Sequence, residues 1–228
     1  MTVIKICGTT NSEDAICALD AGADMLGFIF YRRSPRYIEP QAARAIVDVV
    51  RQRSTRIQTV GVFVNETTEG IREVIQLSGI HAVQLSGDEP LSYLADLGNC
   101  SYKAVRSLAQ ADAILALRDT VKRTVIDTLP DMLLDADHPT LYGGSGTRAD
   151  ESLAERLTRR CRLMLAGGLK PENVSQAIQL THPWGVDVSS GVEDSPGKKN
   201  CLKIRAFIKA VRQQDCATGL EKPGGASL

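Results

Sequence analysis

The chain has 228 residues, which is enough for one large α/β domain or for two smaller ones. Lys and Arg together number 27, and Asp and Glu also number 27, so the chain lacks the basic field of a general nucleic-acid binder. No apolar run approaches the roughly 20 residues of a membrane span, and we expect no membrane partner.

The six cysteines lie far apart and include no CxxC pair. This spacing argues against a zinc cluster and against a compact disulfide framework, and it favours a reducing compartment. The first residues lead directly into a charged strand and do not have the pattern of a signal peptide. We therefore expect a soluble cytoplasmic protein with no metal site.

Eight short apolar runs, rich in β-branched residues, predict strands along the chain. They span Val3 to Cys7, Met25 to Phe30, Ile57 to Val64, His81 to Leu85, Tyr102 to Arg106, Met132 to Asp135, Leu163 to Ala166 and Gly185 to Ser189. Apolar residues at helical spacing lie between these runs. Helix start signals occur at Asn11, at Asn65 with Glu66, and at Pro171, which we place in a first helical turn.

Strands that alternate with helices need crossover connections, so we expect them to be parallel and buried on both faces. Eight such units predict a single (β/α)8 TIM barrel with eight parallel strands over residues 1–213. Residues 214–228 have little to bury, and we expect a disordered tail. An open doubly wound sheet is the alternative, but the turn after the first strand has no GxGxxG motif.

Two neighbouring strands of this barrel end in residues suited to phosphate binding. Gly167 and Gly168 follow the seventh strand, and their lack of a side chain lets backbone amides approach a ligand closely. Asp187 lies near the end of the eighth strand, and Ser189, Ser190 and Gly191 add hydroxyls and further amides. Barrels often bind phosphate at this position, although tight turns alone would also favour these glycines.

Three further residues at strand ends are candidates for chemistry. Cys7 ends the first strand, where a thiol is either a small core residue or a base. Arg36 lies in a proline-stiffened loop and is either a carboxylate clamp or a solvated side chain. Asp135 ends an apolar strand, where a carboxylate is costly to bury without partners. Asp127 looks similar in sequence, but Asp135 precedes a long glycine-rich loop and is the better candidate.

Seven motifs in order resemble the phosphoribosylanthranilate isomerase family. They are Lys5-Ile6-Cys7-Gly8; Gly27-Phe28-Ile29-Phe30 with Ser34-Pro35-Arg36-Tyr37; Val60-Gly61-Val62-Phe63-Val64-Asn65; Val83-Gln84-Leu85; Leu134-Asp135-Ala136 through Gly143-Gly144-Ser145-Gly146; Ala166-Gly167-Gly168-Leu169 with Pro171-Glu172-Asn173; and Asp187-Val188-Ser189-Ser190-Gly191-Val192-Glu193. The resemblance extends to about residue 212.

The resemblance implies an Amadori rearrangement in tryptophan biosynthesis, the third step from chorismate. N-(5-phosphoribosyl)anthranilate becomes 1-(2-carboxyphenylamino)-1-deoxyribulose 5-phosphate. Asp135 would be the general acid and Cys7 the general base, and Arg36 would hold the anthranilate carboxylate. The two glycine and serine loops would bind the phosphate. Asp187 is counted with the substrate-binding residues, no cofactor is expected, and the chain would be a monomer or a homodimer.

The sequence departs from the family pattern at two places. Ser86 stands where the family has histidine, and Ala149 and Glu151 replace two aromatic residues that flank Asp150. We expect these changes to alter loop packing and to leave the acid, the base and the phosphate contacts in place. The alternatives are a phosphosugar isomerase of the histidine-pathway type and a phosphate-binding barrel without catalysis.

Overall fold

The computed structural model describes residues 1–120, 128–135 and 148–219, with side chains omitted at 118–120 and 148–151. Its centre is a closed barrel of eight parallel strands in sequence order, in which β1 pairs with both β2 and β8. The strands are β1 Val3–Cys7, β2 Met25–Ile29, β3 Gln58–Phe63, β4 Ala82–Leu85, β5 Ser101–Val105, β6 Met132–Asp135, β7 Leu163–Ala166 and β8 Gly185–Val188. The predicted barrel is confirmed, and each strand end lies within one residue of its expected place.

Helices follow the strands and form the outer layer. They are α1 Ser12–Ala21, α2 Pro40–Arg53, α3 Thr68–Ser78, the short α4 Ser92–Asp96, α5 Leu108–Thr120, α6 Arg148–Thr158, α7 Val174–Thr181 and α8 Cys201–Ala217. The alternation of side chains along each strand divides the core in two. Outward residues such as Ile4 and Leu26 pack under the helices, while inward residues such as Met25, Val60 and Tyr102 fill the barrel.

The start signal at Asn11 is confirmed, because its side chain accepts a hydrogen bond from the Asp14 amide at 2.8 Å. The signal at Asn65 is wrong. The cap of α3 is Thr67, and Asn65 instead accepts from the Asp88 amide with its own φ at 54°. Pro171 was expected in the first turn of α7, but that helix begins only at Val174. The first error arises because the Asn65 side chain, which could cap a helix, instead joins two loops.

The boundary expected at residue 213 falls inside α8, which continues to Ala217. Asp215 is buried there and accepts hydrogen bonds from the amide and hydroxyl of Thr2 at 3.0 and 2.6 Å. This contact joins the last helix to the start of β1. The remainder of the expected tail, residues 220–228, lies outside the described residues, as does Asp127.

One disulfide joins Cys17 in α1 to Cys201 at the start of α8, across a separation of 184 residues. The cysteine spacing gave no sign of this pair, because the two residues are brought together only by closure of the barrel. The cysteine spacing argued against a compact framework of several disulfides. One bridge between two helices is a different arrangement from such a framework.

A two-stranded antiparallel hairpin follows β8 and was not expected from the sequence. Its strands are β9 Glu193–Ser195 and β10 Lys198–Lys199, preceded by a 3₁₀ turn at Ser190–Val192. The Lys199 amide donates to Asp14, and the Thr10 hydroxyl donates to the Gly197 carbonyl, so the hairpin is attached to the segment after β1.

Two further observations concern the described residues only. None of their helices has the length and apolar character needed to cross a bilayer. No group of three or more of their His, Cys, Asp and Glu side chains is placed to hold a metal ion.

Candidate active site

A cavity of about 380 Å³ opens at the carboxyl ends of the strands. It brings together eight of the nine residues predicted from the sequence: Cys7, Arg36, Asp135, Gly167, Gly168, Asp187, Ser189 and Ser190. Gly191 is the exception, because it packs against the carbonyl group of Leu169. A side chain at Gly191 would collide with that carbonyl, so this glycine lets the loops after β7 and β8 touch.

The Cys7 thiol lies at the tip of β1, where it is nearly fully buried. Its partner in register on β2 is Gly27, and a Cβ atom there would lie 2.7 Å from the Cys7 sulfur. Burial raises the pKa of this thiol above its ordinary value, and Asp187 raises it further, whereas the cations of Lys5 and Lys199 act in the opposite direction. The free protein therefore holds Cys7 as a neutral thiol at neutral pH.

Beneath the thiol, Lys5 is completely buried in the barrel. Its ammonium lies 2.9 Å from the Asp187 carboxylate and donates to the Gln84 side-chain oxygen at 2.8 Å. Burial is the largest single influence on the pKa of Lys5 and lowers it, but the combined effect of Asp187, Cys7 and Tyr102 outweighs burial, and the pKa of Lys5 is raised. Lys5 is therefore a fixed cation one layer below Cys7, as strand alternation predicts.

Asp187 is incompletely satisfied by these contacts. Its Oδ2 atom binds Lys5, while Oδ1 is buried and has no hydrogen-bond partner among the described residues. Asp187 also lines the cavity. A buried carboxylate oxygen without a donor is costly. A ligand hydroxyl or N–H in the cavity would satisfy it.

Arg36 enters the cavity wall from the loop after β2, but part of its guanidinium is already engaged. Nε donates to the Glu193 carboxylate at 2.9 and 3.0 Å, and Nη2 donates to it at 2.7 Å. Burial raises the pKa of Glu193, but hydrogen bonds from Arg36 and Lys199 outweigh it and hold that pKa below its usual range. One edge of the Arg36 guanidinium is thus bound to Glu193, and the other edge is available to a ligand.

The two predicted phosphate loops have backbone conformations that favour glycine. Gly167 and Gly168 have φ values of 93° and 60°, and the side-chain amide of Asn173 holds the Gly168 carbonyl at 3.0 Å. On the other loop, the Ser189 hydroxyl lies 3.5 Å from the Lys199 ammonium. Lys199 and Arg36 share the single carboxylate of Glu193, so the cluster beside the Ser189 loop carries a net positive charge, which favours an anionic ligand.

On the opposite wall, Asp135 ends β6 beside Ala166 and is half-buried. Arg106 follows the neighbouring strand, and its Nη2 donates to the Ser86 carbonyl at 2.8 Å. Ser86, at the position where the family has histidine, lines the cavity and accepts a hydrogen bond from Gln84 at 2.9 Å. The side chains of Ala149 and Glu151 lie outside the described residues.

Sequence reasoning did not assign a role to Glu193, Lys199 or Gln84. Glu193 is the last residue of one of the seven motifs, and its place there was the signal that could have marked it as a functional residue. Its partner Arg36 is 157 residues away, so no local pattern connects the two.

The fold and the site define a TIM barrel with a thiol and a carboxyl group on opposite walls of its mouth, beside two loops suited to an anionic ligand. The family model for N-(5'-phosphoribosyl)anthranilate (PRA) isomerase matches residues 4–210. The chain belongs to this family, as the sequence motifs predicted.

Individual relatives agree with this assignment. The N-(5'-phosphoribosyl)anthranilate isomerase of Roseiflexus castenholzii is 48% identical over 217 residues, which cover 92% of this chain and 98% of the relative. The crystal structure of phosphoribosyl anthranilate isomerase from Thermotoga maritima has a TM-score of 0.79 and 41% identity, and the match covers 93% of this chain and all of that one.

A further crystal structure of the isomerase is a complex with reduced 1-(o-carboxyphenylamino)-1-deoxyribulose 5-phosphate. It has a TM-score of 0.76 and 38% identity, and the match covers 93% of this chain and all of that one. The chain is therefore an isomerase of N-(5'-phosphoribosyl)anthranilate in tryptophan biosynthesis, as expected from the sequence.

Proposed function

We propose that Cys7 and Asp135 are the general base and the general acid of this isomerisation. The observation that supports the assignment is their placement on opposite walls of one cavity, which Arg36 and the two phosphate loops also line. The bound substrate would extend from the loops after β7 and β8 towards Arg36. Its sugar would then lie between the thiol and the carboxyl group.

In the first step, Asp135 protonates the ring oxygen of the furanose. The bond between that oxygen and the first sugar carbon breaks, and the nitrogen lone pair forms a protonated Schiff base. Cys7 then removes the proton from the second carbon, and the electrons of that C–H bond neutralise the Schiff base to give an enolamine. Tautomerisation gives the ketone, so the product is an isomer of the substrate and no cofactor takes part.

The raised pKa of Cys7 places a condition on this proposal. The thiol must lose its proton when substrate is bound, and the protonated Schiff base supplies a positive charge near it at that stage. An opposite charge nearby lowers the pKa of a thiol. Lys5 and Lys199 favour the thiolate in the same way, whereas Asp187 opposes it.

The remaining contacts bind and orient the substrate. Gly167, Gly168, Ser189 and Ser190 would surround the phosphate, with Gly191 supporting the loop from behind. The available edge of Arg36 would bind the anthranilate carboxylate, which a guanidinium can hold through two parallel hydrogen bonds. The Oδ1 atom of Asp187 would accept a hydrogen bond from a sugar hydroxyl. The protein would act in the cytoplasm as a monomer or a homodimer.

The assignments are tested by replacing each group and measuring turnover of N-(5'-phosphoribosyl)anthranilate. We expect Cys7→Ser and Asp135→Asn each to lower kcat by roughly a hundredfold or more, a typical range for loss of a general acid or base. Asp127→Asn is the matched control and should leave kcat unchanged. If either Cys7→Ser or Asp135→Asn retains nearly the parent kcat, its assigned role is wrong. If the protein also converts the aminoaldose substrate of the histidine-pathway isomerase at a comparable rate, the proposal that it acts only on N-(5'-phosphoribosyl)anthranilate is wrong.

A further inference from the structure

We propose that Glu193 and Lys199, on the hairpin β9–β10, are positioning residues that hold Arg36, Cys7 and the Ser189 loop in one fixed arrangement. The inference rests on the proposed role of Arg36 and extends it to two residues that do not line the cavity. They are not catalytic residues, because they would act through groups that contact the substrate.

Glu193 determines which edge of Arg36 faces the cavity. Its carboxylate takes both Nε and Nη2 of the guanidinium, and its side chain is only 4% exposed. A guanidinium bound along that edge cannot rotate without breaking two charge-assisted hydrogen bonds. Gly8 leaves room for the Arg36 stem, since a Cβ atom there would lie 2.7 Å from Arg36 Cδ.

Lys199 connects the same carboxylate to two segments of the site. Its ammonium is buried, lies 2.8 Å from Glu193, and donates to the main-chain carbonyls of Cys7 and Ser189. Those carbonyls belong to the residue proposed as base and to one phosphate loop. One side chain therefore links the residues at the tips of β1 and β8, just beyond the last paired residues, Ile6 and Val188.

The hairpin that carries these residues is itself held in place. The Lys199 amide donates to Asp14 at 2.9 Å, and the Gly197 amide donates to Glu193 at 3.3 Å. On the outer side, Lys203 donates to the Glu193 carbonyl at 2.7 Å. The charged groups of the hairpin and the Arg36 loop that interact here are Arg36, Lys199 and Glu193. The Cys7 thiol is the further titratable group that interacts with Arg36 and Lys199.

Binding of the reduced product analogue, 1-(o-carboxyphenylamino)-1-deoxyribulose 5-phosphate in reduced form, tests the Glu193 contact without requiring turnover. Titration calorimetry should show that Arg36→Gln and Glu193→Gln each weaken binding roughly tenfold or more, as expected when one partner of a buried charge pair is lost. The double variant should bind no more weakly than Arg36→Gln alone, because Glu193 acts through Arg36.

The control is Asp194→Asn. Asp194 is on the same hairpin, is about half exposed, and pairs with Lys203 and Asn200 away from Arg36. It should bind the analogue within about twofold of the parent. Parent-like binding by Glu193→Gln, or a double variant in which the two losses multiply, would overturn the Glu193 assignment. If Arg36→Gln binds like the parent, the role of Arg36 in the proposed function is wrong, and the Glu193 assignment fails with it.

The Lys199 contact is tested through Cys7. Lys199→Met should lower kcat roughly tenfold and slow alkylation of Cys7 by iodoacetamide at pH 8 by several-fold, because a cation beside the thiol is lost and β1 is no longer held at its tip. Lys198→Met, at the neighbouring exposed position of β10, should change neither rate. Unchanged alkylation and kcat in Lys199→Met would contradict the proposal, whatever the outcome for Glu193.

Discussion

The two walls of the barrel mouth are built differently. The thiol wall, formed by β1, β2, β8 and the hairpin, contains three ion pairs in which every side chain is at most 20% exposed: Lys5–Asp187, Arg36–Glu193 and Lys199–Glu193. On the carboxyl wall, formed by β5 and β6, Asp135 is half-buried, and Arg106 lies 3.8 Å from an Asp88 that is 84% exposed. This side also has a buried pair, Lys103–Glu89, but it joins β5 to the loop after β4, and neither residue lines the cavity.

The difference corresponds to what each proposed group requires. A buried thiol is driven towards its neutral form, so fixed cations beside it are needed to make a thiolate accessible. A carboxyl group near the rim of the barrel can exchange protons with water and does not need fixed cations to do so. The comparison therefore predicts that substitutions on the thiol wall have large effects on stability and catalysis, and that exposed pairs near the carboxyl wall have small ones.

The largest effect is expected for Lys5→Met, which leaves the Asp187 carboxylate buried without its cation. Breaking one side of a buried pair costs about 3–5 kcal/mol of the free energy of unfolding, whereas replacing both partners is far less costly. Lys5→Met/Asp187→Asn should therefore recover most of the stability in denaturant unfolding. The double variant should nevertheless bind the product analogue more weakly than the parent does, because the Asp187 carboxylate is absent. Equal stability of Lys5→Met and the parent would remove the basis of the comparison.

Gly27→Ala tests the packing around the thiol. The added methyl group would lie 2.7 Å from the Cys7 sulfur and 3.1 Å from its Cα atom. Overpacking of this kind costs typically about 1–3 kcal/mol, and displacement of the thiol should lower kcat roughly tenfold while the analogue still binds. Kinetics and analogue titration on the same preparation distinguish this result from general unfolding. Retention of the parent kcat would show that the position of the thiol is not constrained by β2.

The pH dependence sharpens the contrast further. Because the pKa of Cys7 in the free protein lies above its ordinary value, the thiolate fraction is small at neutral pH and grows as pH rises. We expect kcat/KM to increase by nearly tenfold per pH unit towards that pKa, since kcat/KM reports the free enzyme. kcat should depend less on pH, because the cationic Schiff base favours the thiolate. Alkylation followed by mass spectrometry should show Cys7 reacting more slowly than the exposed Cys216 near pH 8.

The smallest effect is expected for Asp88→Asn. The pair with Arg106 is exposed on the Asp88 side, and exposed pairs contribute about 0–1 kcal/mol. Melting temperature and KM should stay close to those of the parent, within about twofold for KM. A large change in KM would mean that Arg106 is held as firmly as Arg36, and the two walls would no longer differ.

Much of the fold could be predicted because its signals are local. Apolar runs separated by helical periodicity located all eight strands, and Asn11 with its acidic turn located α1. Asn65 was misinterpreted because its side chain serves a contact 23 residues away, with the Asp88 amide. The hairpin was missed because β9 and β10 are very short and carry charged residues in place of an apolar alternation.

The candidate site was predicted unevenly for the same reason. Residues at strand ends could be placed in one cavity, since parallel strands bring their carboxyl ends together. Glu193 and Lys199 could not be connected to Arg36 and Cys7, because buried charge pairs between distant segments have no pattern in the sequence. Lys5 could be placed below Cys7 by alternation, but its pairing with Asp187 required knowledge of how β1 and β8 align.

The bridge between Cys17 and Cys201 has a mechanical consequence. It encloses β2 through β8 in one covalent ring of chain, while β1 and most of α8 lie outside that ring. Force applied to the two ends of the protein would act first on the hydrogen bonds between Thr2 and Asp215 and on the pairing of β1 with β2 and β8, and then on the bridge. Once β1 has separated from its neighbours, the bridge would carry the load and the enclosed strands would bear no direct tension. In an oxidised molecule, stretching would therefore release only the outer segments, and the full contour length would become available only after reduction.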